Sequence, residues 1–376
     1  KRKLNRYVMN FNFKKWNTIT GWIVFLIALT TYTITLEPTV SFWDCGEYIT
    51  TAAKLQVGHP PGAPLFQMIG AFMAMFAAAP ENVAYMVNMM SAASSAFTIL
   101  FMFWSMTMIL QKFITVDENE ANKSNAIMVI GSAFIGSLAY TFSDSFWFNA
   151  VEAEVYAMAS LLISVLMWAA LHWEREMDSP NGNRWLLLIS FIIGLSFGVH
   201  IMALLTIPAI GMLYFFKKYQ TVTIKNFIIA NVLIVALLYF IFKFLFPFIL
   251  GLFGKSEIFM VNSLGLPFNS GTIFTALVIV GGFIYLLKKT NKPEKRKYNT
   301  IALSFLFLFI GFTTWLMLPI RANANVVINE NKPSDAAELL AYYNREQYGE
   351  QNTFWGPYYT DAFAPTNSEN PFKDSK

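Results

Sequence analysis

Charge is scarce in this chain. Only 13% of its 376 residues are Asp, Glu, Lys or Arg, there are three histidines, and Cys45 is the single cysteine. A lone cysteine excludes an internal disulfide and leaves no cysteine-based zinc framework. The formal net charge of +4 is no nucleic-acid signature, because the positive residues are distributed by topology, and no nucleic-acid partner is expected. Sustained repeats and low-complexity segments are absent. No small-residue cleavage site follows the first apolar run, so no cleavable signal peptide is expected. The chain begins with Lys1 rather than Met, as expected where the true start lies upstream. What the chain has in excess is apolar: 56% hydrophobic residues, including 37 Phe and 18 Met. Repeated apolar runs of about 18 or more residues predict an all-α polytopic membrane protein.

Apolar segments lie near 19–36, 62–79, 84–111, 125–142, 154–173, 185–199, 201–216, 226–250, 271–287 and 299–318. Whether 62–79 crosses decides the topology. If it does not, one face receives the basic N-terminus (1–18), Lys112 with Lys123, Arg175 with Arg184, Lys217, Lys218 and Lys225, and "KKTNKPEKRK" at 288–297. A cytoplasmic face carries such an excess of short-loop Lys and Arg. The pattern predicts about nine transmembrane helices over 19–319, N-terminus inside, with 62–79 a juxtamembrane helix in a long first outer loop, 37–83. A tight outward turn is expected at "FGVHIM", 197–202. Residues 320–376 form a polar outer tail, either disordered or the start of a truncated soluble domain. Within it "PSDAAELLAYYNREQYGE", 333–350, reads as one helix with Ser334 or Asp335 as N-cap.

This topology puts the chemically interesting residues on the outer face. The first outer loop holds Glu37, Asp44, Glu47 and His59. The second holds Asp144, Asn149, Glu152 and Glu154. His200 lies in the next outward turn, Arg321 ends the last span, and Lys243 lies within an apolar span. Each has an ordinary alternative. Asp44 can simply cap a short helix, although Asp44, Glu47 and Thr51 share one helical face. Glu152 and Glu154, two apart, cannot point the same way on a helix, so one is read as structural. His59 can shape the Pro-Pro turn, His200 can satisfy a carbonyl, and His172 beside Trp173 reads as an interface anchor. Lys243 can snorkel or meet an anionic ligand. Metal ligation by His59, His200 and these acids stays open, but no H-E-x-x-H or comparable spacing supports it.

Outer carboxylates rimmed by cations suit a lipid-anchored phosphorylated sugar donor. A carboxylate takes the acceptor hydroxyl's proton and cations stabilise the departing phosphate. A carrier would instead place polar groups near the midplane on broken helices.

The stretches "FWDCGEYITTAAKLQVGHPPGAPLF", "FNAVEAEVYAM", "GVHIM" and "LAYYNREQYGE" resemble the transmembrane protein 260 type of protein O-mannosyltransferases and their bacterial relatives. More broadly, the chain resembles GT-C superfamily membrane glycosyltransferases. The likeness covers about residues 20–360. It implies a catalytic acid in the first outer loop, which maps onto Asp44 with Glu47 as near alternative. It also implies a polyprenyl-phosphate mannose donor and Ser/Thr hydroxyls of translocated proteins as acceptors. In the resulting scheme His59 assists, Lys243 and Arg321 bind donor phosphate, and Glu152, Glu154 and His200 contact sugar or acceptor. No cofactor beyond the donor substrate is required, and the need for a divalent metal stays open. Membrane lipid is a partner by construction, and other membrane subunits are an open class. The expected location is a bacterial cytoplasmic (inner) membrane with the site facing the periplasm. Two rival readings are a non-catalytic membrane subunit and a flippase or transporter of a lipid-linked substrate.

Overall fold

Apolar runs of this length must satisfy every backbone N–H and C=O internally, and a helix does so within a single segment. The structure, a computed structural model describing residues 12–116 and 123–349, is accordingly helical. Its helices are α1 (Phe13–Ile34), α2 (Cys45–Ala53), α3 (Pro64–Ala74), α4 (Val83–Leu110), α5 (Lys123–Thr141), α6 (Asp144–Ala150), α7 (Val155–Glu176) and α8 (Asn183–Ser196). They continue as α9 (Thr206–Lys218), α10 (Ile224–Tyr239), α11 (Phe246–Ile258), α12 (Ser270–Thr290), α13 (Arg296–Phe312), α14 (Met317–Ala322) and α15 (Ala336–Asn344). An isolated parallel bridge joins Val57 to Asn329.

Among the described residues, eight helical stretches are long and apolar enough to cross a bilayer. The ninth expected span is α8, whose 14 residues reach about 21 Å, short of a hydrocarbon core of about 30 Å. Residues 62–79 do not form a span: α3 has 11 residues and reaches about 17 Å. Pro64 starts α3, where its missing N–H costs nothing. The helix buries Phe66, Gln67 and Gly70. The turn at 197–202 is as expected, with His200 opening a short 3-10 turn, Ile201–Leu205.

Two expectations need correction. The span at 226–250 belongs to a helical stretch of 40 residues, Ile224–Ser263, about 60 Å long and far more than a bilayer needs. It is interrupted by π-helical turns at Phe240–Leu245 and Phe259–Ser263. The first precedes Pro247, whose ring would clash with the Lys243 carbonyl in a regular helix; widening the turn relieves that clash. The expected helix over 333–350 is also shorter. Asp335 caps α15 by accepting from the N–H groups of Ala337 and Glu338 at 2.8 and 2.9 Å, and the helix stops where Arg345 turns left-handed at φ 59°. The tail is therefore not wholly apart from the core: Leu339 and Tyr342 are buried in the main apolar cluster. The remainder of the expected outer tail, 350–376, and the basic residues 1–11 lie outside the described residues.

Close backbone contact sets the frame around the site. A Cβ on Gly194 would lie 2.1 Å from the Leu308 carbonyl oxygen, and one on Gly311 would lie 2.3 Å from that of Phe191. Small residues permit this approach of α8 and α13, as in membrane helix pairs generally. Beyond the contact, Trp315 Nε1 donates to the Phe197 carbonyl at 2.9 Å, and the backbone N–H groups of Leu65 and Phe66 donate to that of Gly198. The start of α3 and the end of α13 are thereby tied to one turn.

Candidate active site

The short helix α2 amphipathically buries Cys45, Tyr48, Ile49 and Ala52 and turns Asp44 and Glu47 toward the polar side. Asp44 occupies its N-cap position, yet its side chain makes no capping hydrogen bond. The ordinary reading of this acid as a cap is therefore not realised. Its carboxylate stands 59% exposed.

Glu47 is fully engaged. One carboxylate oxygen accepts the backbone N–H of His59 at 2.6 Å, and the other pairs with His59 Nδ1 at 2.9 Å. The imidazole is thus held with Nε2 turned to Asp44, 3.9 Å from Oδ2. Tyr48 and Phe66 complete the setting, with the Tyr48 ring 5.7 Å from His59 and 5.1 Å from Phe66. The hydrogen bond to Glu47 raises the His59 pKa above its ordinary value against the opposing effect of burial, and the charges of Glu47 and Asp44 add to the rise. Burial alone would raise the Glu47 carboxyl; its side-chain and backbone bonds from His59 outweigh that and hold it low. Both directions describe one ion pair, Glu47⁻–His59⁺, with a second carboxylate beside it.

Asp44, Glu47 and His59 are held in register by residues far along the chain. Arg321 donates from Nε to the Leu55 carbonyl at 2.6 Å and from a terminal nitrogen to that of Lys54 at 3.2 Å. These carbonyls belong to the C-cap residue of α2 and the residue after it. Val57 pairs with Ile328 and Glu330, the Ile328 N–H donates to Gln56 Oε1, and Tyr342 Oη donates to the Gly58 carbonyl. Gly62 is required by its backbone conformation, and Gly58 is crowded by a movable carboxylate. A Cβ on Gly58 would meet Glu47 Oε1 at 2.6 Å, and Gly62 has φ +75° with Tyr342 Oη 2.5 Å from its ideal Cβ position.

Beneath Asp44 lies a buried acid pair. Glu152 and Glu154 are not on a helix but in the turn that leads into α7, with Glu154 as its N-cap residue. The helical argument for opposite directions therefore does not apply, and both carboxyls reach α2 and its approach. Ser41 Oγ donates to Glu152 at 2.5 Å, and the buried Cys45 thiol donates to Glu154 at 3.7 Å. Burial, followed by the Asp44 and Glu152 charges, pushes the Glu154 pKa up to about 7; burial also raises Glu152. Burial and the two glutamates push the Cys45 thiol up, away from thiolate reactivity.

The Glu154 shift has a measurable consequence. An unfolded carboxyl releases its proton near 4.5 while the folded one holds it to about 7. The folded state binds the extra proton in that interval, so this group's contribution lowers stability as pH rises across it and levels off above. Glu154→Gln, which mimics the protonated form, should flatten that part of the melting-temperature profile. An unchanged slope between pH 4.5 and 7 would place the titration elsewhere.

The other expected residues sit around this centre in different ways. His200 Nδ1 accepts the Met202 N–H at 3.1 Å, and its ring lies 5.2 Å from that of Tyr156. Burial, then the Arg345 charge, lowers its pKa, which favours the neutral imidazole. His172 stacks on Trp185 at 4.5 Å at the opposite end of α7. Lys243 is exposed in the π-helical turn, its ammonium 5.3 Å from the Phe242 ring centre. Tyr343 Oη donates to the Phe242 carbonyl at 3.0 Å, so the adjacent Tyr342 and Tyr343 connect α15 to both the His59 loop and the turn bearing Lys243. Arg321, expected at a phosphate, is engaged by backbone carbonyls of α2. Among the described residues no three His, Cys, Asp or Glu side chains converge closely enough to hold a metal ion.

Sequence reasoning missed Glu330, Tyr48, Tyr342 and Arg345. Glu330 stands close enough to Glu47 and His59 for their charges to act on it, and partial burial followed by the Glu47 charge raises its pKa. Its signal in the sequence was faint, one acid in the polar run "VINENK" with no periodicity to place it. Arg345 does fall in the quoted "LAYYNREQYGE" stretch, but only the docking of α15 brings it near His200.

The segment that builds this site has known relatives. Residues 44–223 match the family model described as "Protein O-mannosyl-transferase TMEM260 N-terminal domain". The chain is 26% identical over 242 residues to Protein O-mannosyl-transferase tmem260 of Dictyostelium discoideum, covering 61% of this chain and 27% of that protein. It is 26% identical over 174 residues to Protein O-mannosyl-transferase TMEM260 of Mus musculus, covering 46% and 22% respectively. The matched region thus spans about a quarter of the length of these curated relatives. No solved structure matches the chain. Through the segment that begins at Asp44 and carries Glu47, His59, Glu154 and His200, this multi-pass membrane chain is similar to the N-terminal domain of the TMEM260 protein O-mannosyl-transferases.

Proposed function

We propose that this chain is a GT-C-type glycosyltransferase that moves mannose from a polyprenyl-phosphate donor to Ser or Thr hydroxyls of translocated proteins, on the outer side of a bacterial cytoplasmic membrane. The observation that carries the proposal is Asp44: an exposed carboxylate without a capping bond, 3.9 Å from a histidine fixed by a second acid. It opens the segment similar to known O-mannosyl-transferases.

In this reading the acceptor oxygen attacks the sugar's anomeric carbon. The new C–O bond forms as the bond to the polyprenyl phosphate breaks, and the hydroxyl proton passes to Asp44. His59 orients Asp44, its Nε2 standing 3.9 Å from Oδ2. Glu47 fixes the imidazole through Nδ1. Lys243 serves the departing phosphate, because a cation in a low-dielectric setting is worth most where charge develops. Arg321 acts through the α2 carbonyls it holds, and Glu152, Glu154 and His200 line the sugar or acceptor side. Lys243→Met should lower transfer with the protein still folded; unaltered donor turnover would place the phosphate elsewhere.

Two experiments test function and sidedness. Periplasmic proteins of a strain lacking the gene should lose a mannose from Ser or Thr by mass spectrometry; an unaltered glycan profile would contradict the activity. A cysteine placed at Asn82, before α4, should react with an impermeant reagent from outside, and one at Asn291, after α12, should not. Cys45 is buried, so background labelling is low. The reverse pattern would overturn the orientation.

A further inference from the structure

A large apolar groove lies away from the candidate site. It is walled by the Phe240–Ile249 stretch, α12 and α13 and has a volume of about 930 Å³. Its walls are apolar, with Phe244, Phe283 and Phe305 among them, and one end carries Lys289, Lys295 and Tyr298. We propose that this groove binds an anionic phospholipid, its acyl chains along the aromatic walls and its phosphate at Lys289 and Lys295.

Three observations support this occupant. First, the groove's own cations have no acidic partner, whereas elsewhere at this end Lys112 pairs with Glu174, Arg184 with Glu176 and Lys218 with Asp178, at 2.8, 2.9 and 2.5 Å. Among the described residues, Lys289 and Lys295 enter no ion pair, and Lys289 Nζ instead donates to Tyr285 Oη at 3.2 Å and lies 5.3 Å from the centre of that ring. Second, the length fits one leaflet. The α12 wall runs from Val278 to Thr290, about 18 Å, against about 15 Å for half a hydrocarbon core. Third, the charge is at the wrong end for a sugar donor. Tyr298 and Arg321 lie on one helical stretch, 23 residues and so about 35 Å apart. An anion held by the lysines stays remote from Asp44. Among the described residues nothing closes the groove at Gly282, where a Cβ would meet no atom within 4 Å.

The test uses the full chain in phosphatidylcholine nanodiscs carrying a trace of photoactivatable phosphatidylglycerol, with cross-links mapped by peptide mass spectrometry. Cross-links should fall on α12 and α13 within the groove and be competed by unlabelled phosphatidylglycerol but not by phosphatidylcholine. Lys289→Gln with Lys295→Gln should reduce their yield on the order of tenfold, since each surface cation contributes measurably to anionic-lipid attraction. Gly282→Leu should reduce it similarly by filling the groove. Gly281→Leu, whose Cβ also meets nothing within 4 Å but which does not line the groove, should leave it unchanged. Equal labelling by a photoactivatable phosphatidylcholine, or full yield in Gly282→Leu, would overturn the proposal. So would stronger competition by polyprenyl phosphate than by phosphatidylglycerol.

Discussion

Asp44→Asn should leave donor binding in place and lower mannosyl transfer by about 100- to 10,000-fold, the usual contribution of a general base. The substitution preserves shape and removes the basic charge. It should not cost stability through a lost helix cap, because the Asp44 side chain makes no capping bond in the first place. That separates the two readings of this residue experimentally. A capping role predicts a lower melting temperature with transfer retained; a base predicts the opposite pair of results. Glu47→Gln should cost less than Asp44→Asn, since Glu47 touches His59 and acts through it. A direct role for Glu47 would reverse that order.

Gly58→Ala should lower transfer on the order of 100-fold, the scale at which a displacement of about 1 Å in a catalytic group is felt. An ideal Cβ there lies 2.6 Å from Glu47 Oε1, so the carboxylate must move and release the His59 N–H and ring. The effect should appear in turnover more than in overall stability, and the pH dependence of transfer should shift with it. Without its Glu47 partner, His59 loses the first of the influences that raise its pKa, so the limb due to imidazolium should move to lower pH. Combining Gly58→Ala with Glu47→Asp, which withdraws the carboxylate by one methylene, should restore part of the rate. Native turnover in Gly58→Ala would mean that the Glu47–His59 geometry does not matter to catalysis.

Eight of the nine expected spans and the lack of a long helix over 62–79 were legible because hydropathy and basic-loop asymmetry act along the chain and need no partner. The first outer loop was legible for a related reason: Asp44, Glu47 and His59 lie within sixteen positions, so a helix and a turn suffice to bring them together. Tertiary ties were not legible. Arg321 reads as a lone cation at the end of a span, and only folding shows that it reaches back to the carbonyls of Lys54 and Leu55. Tyr342 looked like one more aromatic on a polar tail helix, yet it is buried against Gly58. The Glu152 and Glu154 argument failed because it assumed a helical period where the chain makes a turn. Similarly, the apolar run after Ile224 gave no stopping signal: Pro247 is absorbed by a wider helical turn instead of ending the helix.

The most direct test of the account is a transfer reaction with purified components. The full chain, reconstituted in vesicles with a polyprenyl-phosphate mannose and a Ser/Thr-containing acceptor peptide, is followed by the peptide's intact mass. The account predicts a peptide heavier by one hexose on a Ser or Thr oxygen, formed by the native chain and strongly reduced in Asp44→Asn. An unmodified peptide with the native chain, or equal product from Asp44→Asn, would contradict it.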